Sequence, residues 1–286
     1  MYLVFKDQTF SFELLRTLSY APYSRADIGE CLKTAYRIKA GDFESWYTEW
    51  TKTATRAHTL AEEALAHGQK VSAREAYLRA SNYYRTAEFF LHGHPEDPRI
   101  LTTWGQSRAT FQEAMKLLDT PVEQVLIPYE MTALPGYFYR PNDSEKPRPT
   151  LLVHGGYDSI GEELYLLVAA AAIQRKYNCL IFEGPGQGAL IREQHLPFRP
   201  DWERVVTPVV DYLLTRPEVD PARIALLGIS VGGYLAPRAA AFEHRLAALI
   251  ANDGIYSYHF GEKARVAMTA AAWFGRKVAQ WCSSRW

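Results

Sequence analysis

The segment that most constrains the fold is the run RIALLGISVGG at positions 223–233. Its apolar first half predicts a buried strand, and the small residues after Ser230 predict the start of a helix. A Gly-x-Ser-x-Gly pattern between a strand and a helix is typical of a sharp turn that exposes the serine hydroxyl, and Gly228 and Gly232 permit the crowding that this turn requires. The segment therefore predicts an α/β architecture in which Ser230 is a candidate nucleophile.

Strands and helices alternate in the second part of the chain. Several of these strands are apolar at every position, which predicts a sheet that is buried on both faces. Because right-handed crossovers produce such an alternation, we expect an α/β layered fold, opened by an antiparallel pair of strands. The predicted strands cover residues 122–129, 134–139, 149–153, 178–182, 223–227 and 246–251, and the predicted helices cover residues 162–175, 202–214 and 231–242.

The first part of the chain has the residue spacing of amphipathic helices. Asp42 and Gly68 are a candidate N-cap and a candidate stop, residues 72–75 form a capping-box pattern, and a third helix is predicted after Pro98. Steps of three and four residues between apolar side chains are what helix packing requires, and the lack of a fixed period disfavours a tetratricopeptide-like scaffold. We therefore predict a helical domain over residues 1–118 and a second domain over residues 119–286.

Three loops fall at the carboxyl ends of predicted parallel strands, where ligands bind in open α/β sheets. They are the segments 154–158 and 183–188 and the turn at Ser230. Acyl transfer requires backbone N–H groups that point at a developing oxyanion, and we assign this role to Val231 and to the Gly156-Tyr157 segment. His154 precedes two glycines, so we interpret it as a residue that orients this loop and not as a proton carrier.

Two further patterns in these loops have structural interpretations. The glycines of EGPGQG at positions 183–188 lack the Lys-Ser/Thr ending of a phosphate-binding loop, so we predict a tight turn that lines a pocket. Glu162 stands three residues after Ser159, and we interpret it as the capping partner of that serine and not as an acid catalyst.

Composition excludes several classes of function. The 32 basic and 32 acidic residues give no net charge, and no basic cluster indicates a nucleic-acid surface. The first 15 residues lack a signal-type apolar core, and the longest apolar run, residues 164–173, is about half of a membrane span. Cys31, Cys179 and Cys282 fit neither a disulfide framework nor a zinc site. We expect a cytoplasmic protein that acts on a small molecule without metal or cofactor, and a homodimer is left open.

The chain to about residue 258 resembles the 2,6-dihydropseudooxynicotine hydrolase family of α/β-hydrolases and the fungal heptaketide hydrolases that shorten polyketides. The segments that carry this resemblance are GDFESW at 41–46, ASNYYR at 80–85, EE at 162–163, EGPGQG at 183–188 and GISVGG at 228–233. The resemblance implies an α/β-hydrolase fold with an N-terminal helical lid. It also implies hydrolysis of a carbon–carbon bond next to a ketone, with the Ser230 position as nucleophile and a later Asp and His completing a triad.

The end of the chain departs from this pattern. Two further strand–helix units would need about sixty residues, whereas 34 follow residue 252. We therefore expect a chain that ends early, with one helix over residues 261–281 in place of the last strands. Asp253 and His259 preserve the Ser–acid–His order, but a His six residues after the acid would lie on a segment that the sheet does not support. Without a base, the serine would keep only part of its catalytic power.

The sequence thus predicts a serine hydrolase that cleaves a carbon–carbon or ester bond of a polyketide-like molecule in secondary metabolism. A general carboxylesterase of the same fold is an alternative, since the same residues serve both reactions. A non-catalytic binding protein that keeps the pocket is another, and a scaffold built on the helical half is a third.

Overall fold

The computed structural model describes residues 3–252 and begins with five helices. Three of them are capped by the side chains of Asp7, Asp27 and Asp42, each of which accepts a hydrogen bond from a backbone N–H three residues later. Helix α4 packs between α3 and α5, which gives the helical region its own layer. The helices are α1 (Gln8–Leu18), α2 (Ile28–Ala35), α3 (Phe43–Ala66), α4 (Lys70–Glu88) and α5 (Arg99–Met115), with 3₁₀ turns at Ala21–Tyr23 and Phe89–Gly93.

One predicted helix cap in this region is confirmed and another is wrong. Asp42 caps α3 as predicted, and Gly68, with φ of 72°, follows its end. The capping-box prediction for residues 72–75 is wrong, because α4 begins at Lys70 and its N-cap, Gln69, makes no side-chain cap hydrogen bond. Ser72 is therefore the third residue of the helix and cannot act as its N-cap.

A six-stranded sheet follows, in the spatial order β1-β2-β4-β3-β5-β6. Strands β1 and β2 form the predicted antiparallel pair, and β4, β3, β5 and β6 run parallel to one another. The strands are β1 (Val122–Tyr129), β2 (Thr132–Tyr139), β3 (Arg148–His154), β4 (Asn178–Phe182), β5 (Val219–Ile229) and β6 (Ala248–Asn252). The helices between them are α6 (Gly161–Leu164), α7 (Ala170–Gln174), α8 (Gly188–Glu193), α9 (Glu203–Leu214) and α10 (Val231–Phe242), and a π-helical turn (Tyr165–Ala169) joins α6 to α7.

Alternate side chains of β4 enter two different cores. Cys179 and Ile181 pack with the α6–α7 segment and with side chains of α4 and α5, whereas Leu180 and Phe182 pack with α9 and α10. The prediction of burial on both faces holds for β4 but is wrong for β6, whose five residues are all exposed in the described part of the chain. Strand β6 pairs there with β5 alone, which leaves it at the edge of the sheet.

A separate aromatic core holds the helical region together. The rings of Trp46 and Trp50 on α3 are fully buried; Trp46 packs against Phe10 and Phe90, and Trp50 packs against Trp46. The apolar side chains that recur at steps of three and four residues along α3 therefore do pack against neighbouring helices, as the sequence predicted. The boundary near residue 119 stays a prediction, as does the division into two domains. Within residues 3–252 no helix is both long and apolar enough to cross a bilayer.

Candidate active site

Ser230 lies on a sharp turn between β5 and α10. Its backbone has φ of 59° and ψ of −123°, a conformation that costs free energy for any residue with a side chain. The Ser230 N–H donates to the carbonyl of Asn252 at 2.9 Å, and the Ser230 carbonyl accepts from the Gly233 N–H at 2.8 Å. These bonds hold the turn at the carboxyl edge of the sheet, where Ser230 is exposed.

Glycines on both sides of Ser230 allow backbone to contact backbone. A Cβ built on Gly228 would overlap the carbonyl of Gly232, and one built on Gly232 would overlap the carbonyl of Gly155. These positions require glycine because the atoms they would meet are main-chain atoms that cannot rotate away. The turn after β5 and the loop after β3 are therefore packed directly against each other.

The loop after β3 brings Gly156 next to the serine. A Cβ on Gly156 would lie 2.9 Å from the Cβ of Ser230 and 3.0 Å from the amide nitrogen of Val231. The structure thus brings together Gly156, Ser230 and Val231, three of the residues singled out in the sequence. Tyr157 is half-buried, and its ring stacks on that of Phe198 with centroids 6.3 Å apart.

His154 lies beneath this loop, away from solvent. Its Nε2 accepts a hydrogen bond from the Trp202 indole N–H at 3.2 Å, and its Nδ1 is 3.3 Å from the Gly155 carbonyl. Burial lowers the pKa of His154 to about 4, so the ring is neutral near pH 7. A neutral ring with both nitrogens engaged is suited to orienting the loop, as the sequence predicted, and not to carrying a proton.

The loop after β4 is a tight turn filled by its own side chains. Glu183 accepts hydrogen bonds from the backbone N–H groups of Gly161 and Ala189, each at 2.8 Å, and thereby occupies the position that a bound anion would take. Gln187 accepts from the Gly184 N–H at 2.9 Å and donates to the Gly155 carbonyl at 2.6 Å. Gln187 therefore connects the two loops, a function that sequence reasoning missed.

Glu162 does not cap a helix. The N-cap of α6 is Ile160, and Glu162 instead accepts a hydrogen bond from the Tyr137 hydroxyl at 2.7 Å. Its second oxygen, Oε2, is buried and has no hydrogen-bond partner among the described residues. Burial, followed by the nearby charge of Glu183, raises the pKa of Glu162 to about 7. The capping prediction is wrong because a tertiary partner on β2 takes the carboxylate.

Comparison with known proteins identifies the family. A model of FrsA-like esterases matches residues 14–263, which is most of the chain. The chain belongs to the FrsA-like esterase family. The predicted kinship with α/β-hydrolases is confirmed.

Several fungal hydrolases are similar to this FrsA-like protein along most of its length. Hydrolase acrC of Aspergillus aculeatus is 42% identical over 303 residues, which cover 100% of this chain and 69% of the relative. The 20-hydroxy-prefusarin hydrolase FUS2 of Gibberella moniliformis is 45% identical over 262 residues, which cover 89% of this chain and 62% of the relative. The chain thus spans between three fifths and about two thirds of the length of these relatives.

Two solved structures show the same fold. The 2,6-dihydroxy-pseudo-oxynicotine hydrolase superposes with a TM-score of 0.74 at 24% identity, covering 88% of this chain and 70% of that one. AbyA5 superposes with a TM-score of 0.60 at 20% identity, covering 88% of this chain and 66% of that one. The α/β class predicted from the sequence is therefore confirmed.

Two of the predicted site residues of this FrsA-like protein, Asp253 and His259, lie outside the described residues, as does the helix predicted over 261–281. Within residues 3–252 no group of three His, Cys, Asp or Glu side chains is arranged to hold a metal ion. The thiols of Cys31 and Cys179 are both free and buried.

Proposed function

We propose that the protein is a serine hydrolase in which Ser230 attacks a substrate carbonyl. The observation that carries the proposal is the left-handed backbone of Ser230, whose φ is 59°, at a strand–helix junction in contact with Gly156 and beside the Val231 amide. A strained, exposed serine beside closely packed backbone amides is the arrangement that acyl transfer uses. The N–H groups of Val231 and of the Gly156-Tyr157 segment would hold the oxyanion.

The reaction proceeds through an acyl-enzyme. The Ser230 oxygen forms a bond to the carbonyl carbon while its proton passes to a general base. Among the sequence candidates, His259 has the residue type of such a base and Asp253 that of its acid partner. The bond to the leaving group then breaks and the leaving group takes the proton. In an ester this group is an alkoxide; in a β-diketone it is a carbanion, which the neighbouring ketone stabilises as an enolate. Water attacks the acyl-enzyme and restores Ser230.

The proposed substrate class is a ketone-rich, polyketide-like molecule of fungal secondary metabolism. This choice is supported by the similarity to fungal hydrolases such as acrC and FUS2, the second of which is named for 20-hydroxy-prefusarin. Adjacent ketones are the chemistry that makes carbon–carbon cleavage accessible to the mechanism above. The helices of residues 1–118 would form the lid over this substrate.

Labelling with a fluorophosphonate tests the nucleophile. The parent chain should gain one adduct by intact mass, Ser230→Ala should gain none, and Ser144→Ala, which changes an exposed loop serine, should label like the parent. An unlabelled parent that is folded and monodisperse would instead favour the non-catalytic binding protein.

A matched pair of substrates tests the bond that is cleaved. A β-diketone and the ester of the same acyl group would be incubated with the parent and with Ser230→Ala, and the products would be identified by mass spectrometry. We expect the parent to cleave the diketone. Cleavage of the ester alone would assign the protein as a carboxylesterase.

A further inference from the structure

Asp158 directly follows the Gly156-Tyr157 segment and joins it to two helices. Its Oδ2 accepts a hydrogen bond from Nη1 of Arg16 on α1 at 2.7 Å and another from Nη2 of Arg85 on α4. The side chain of Arg85 is 4% exposed and that of Asp158 is 13% exposed, so water competes little for this contact. Hydrogen bonds between charged groups are stronger than those between neutral groups, and they also constrain the orientation of the two side chains.

Other carboxylates fix the two guanidinium groups in place. Arg16 binds Glu163 through two parallel hydrogen bonds of 2.8 Å, from Nε and Nη2, and Tyr20 donates to the same carboxylate at 2.5 Å. Arg85 lies 3.3 Å from Glu13 on α1. Two cations and three carboxyl groups therefore form one cluster, which we call the Asp158 cluster: Glu13, Arg16, Arg85, Asp158 and Glu163.

The charge on Asp158 is maintained by this cluster. Burial alone would raise the pKa of Asp158, but the charges of Arg16 and Arg85 outweigh it and hold the pKa below its ordinary value. The carboxylate therefore stays ionised at neutral pH and keeps both guanidinium partners.

The loop after β3 is thus held at two points. Gln187 donates to the Gly155 carbonyl at 2.6 Å on the side of the sheet, and the Asp158 cluster holds the other end from the helices. Gly156, which contacts Ser230, lies between these two points.

We propose that Asp158 is a positioning residue through which helices α1 and α4 fix the Gly156-Tyr157 backbone against Ser230. The inference rests on the proposed function, because it concerns the amides assigned to the oxyanion. Removing the negative charge would weaken the hold on this end of the loop, because the buried Arg85 and the partly exposed Arg16 would lose the charge of their shared acceptor. A displaced amide weakens binding of the transition state more than binding of the substrate, because the oxyanion forms only during the reaction.

The first test is kinetic. The rate constant of fluorophosphonate labelling at saturation and the reagent's half-saturation concentration would be measured for the parent, Asp158→Asn and Arg192→Gln. Arg192→Gln is the matched control, since it breaks the buried 2.8 Å ion pair between Glu88 of α4 and Arg192 of α8 without removing a contact of Asp158. We expect Asp158→Asn to lower the saturating rate about tenfold or more with little change in half-saturation, and the control to keep the parent rate. Equal rates in Asp158→Asn and the parent, or an equal fall in both variants, would overturn the inference.

The second test is independent of catalysis. Hydrogen exchange of the peptide that spans residues 154–160, followed by mass spectrometry, should accelerate in Asp158→Asn while the peptide over residues 178–182 keeps its parent rate. Unchanged exchange in 154–160 would also overturn the inference. If Asp158→Asn fails to fold, Arg85→Gln and Arg85→Lys replace it: the lysine keeps the charge and should recover part of the labelling rate that the glutamine loses.

Failure of this inference can be told from failure of the proposed function. A parent chain that labels at Ser230 while Asp158→Asn labels equally fast overturns the positioning role alone. A parent that does not label at Ser230 overturns the proposed function, and the exchange experiment then decides whether Asp158 still anchors the loop.

Discussion

The loop after β3 is held in two different ways on its two sides. Toward the sheet, glycine backbone packs against backbone at Gly232 and Gly155, and the hydrogen bonds from Gln187 and Trp202 involve no charge. Toward the helices, the contacts are guanidinium–carboxylate pairs centred on Asp158. The same short loop is therefore fixed by close packing on one side and by charge on the other.

The difference indicates which perturbations should act on each side. Close packing is insensitive to pH and salt but fails when a single methyl group is added. Buried ion pairs lose much of their stabilisation when one partner is neutralised, because the other charge stays buried. Added volume should therefore act on the side of the sheet, and altered charge or pH on the side of the helices.

The largest effect is expected from a methyl group on the sheet side. Gly232→Ala would place a Cβ against the Gly155 carbonyl and 2.9 Å from Nδ1 of His154, so the loop or the turn must move. We expect the free energy of unfolding to fall by about 3 kcal/mol, measured by urea denaturation, and labelling at Ser230 to be lost. Gly105→Ala on α5 is the control, because nothing lies within 4 Å of the added Cβ; it should stabilise the protein by about 0.5–1 kcal/mol. If Gly232→Ala were as stable as the parent, the turn at Gly232 and the Gly155 carbonyl would not be tightly packed.

The next effect concerns Glu162, where the sheet meets α5. Its pKa of about 7 is higher than the ordinary 4.5, so the folded state binds the proton more tightly than the unfolded state. The resulting stabilisation is fully present below pH 4.5 and is lost as the pH rises to 7. Glu162→Gln keeps an acceptor for Tyr137 and should raise the free energy of unfolding by at most about 3 kcal/mol at pH 8, with little change at pH 4.5.

The control for this experiment is Glu193→Gln. Arg108 on α5 lies 3.9 Å from Glu162 and 3.5 Å from Glu193, but the carboxylate of Glu193 is half-exposed. The effect of this substitution on stability should be small and should not grow between pH 4.5 and pH 8. If the effect of Glu162→Gln on the free energy of unfolding is equally independent of pH, the Glu162 carboxyl group of the parent protein ionises with its ordinary pKa.

Local sequence patterns sufficed to predict the sheet side. The apolar run at 178–182 is β4 with the same ends, and helix α10 covers the predicted residues 231–242. The glycines around Ser230 could be interpreted from sequence because a turn needs glycine at fixed spacings, and that spacing is visible within six residues. The proximity of Gly156 to Ser230 could be predicted because Gly156 lies three residues after the end of the predicted strand 149–153, at the same edge of the sheet, whereas its oxyanion role stays a prediction.

The helical side could not be predicted in this way. Arg16 and Asp158 are 142 positions apart, and Arg85 and Asp158 are 73 apart, so no periodicity connects them. Glu162 shows the opposite failure. It satisfied a local capping pattern with Ser159, but in the fold its carboxylate accepts a hydrogen bond from the buried Tyr137 hydroxyl of β2. Charged side chains take partners according to tertiary proximity, which the local pattern does not contain.

A smaller effect is expected from the neutral hydrogen bond under the loop. Trp202→Phe removes the indole N–H that donates to His154 at 3.2 Å and leaves a buried nitrogen without a donor. Trp50→Phe is the control, because the buried Trp50 N–H has no hydrogen-bond partner among residues 3–252, so that substitution makes the same change of ring without breaking a hydrogen bond. Urea denaturation should show Trp202→Phe to be about 1–2 kcal/mol less stable than Trp50→Phe, at low and at high salt alike. Equal values would mean that the hydrogen bond adds nothing beyond packing.

The smallest effect is expected from an ion pair at the surface. Arg238 on α10 binds Glu203 on α9 through two hydrogen bonds of 2.9 Å, a geometry as good as that of Arg16 with Glu163, but the Arg238 side chain is 46% exposed. Arg238→Gln should lower the free energy of unfolding by less than about 1 kcal/mol, and the difference should vanish in 1 M salt because water and ions screen an exposed pair. Asp158→Asn, measured in the same urea titrations, should keep most of its cost in 1 M salt. A similar salt dependence in the two variants would mean that solvent reaches the Asp158 cluster, and burial would then not distinguish the contacts of the helical side from an ordinary surface pair.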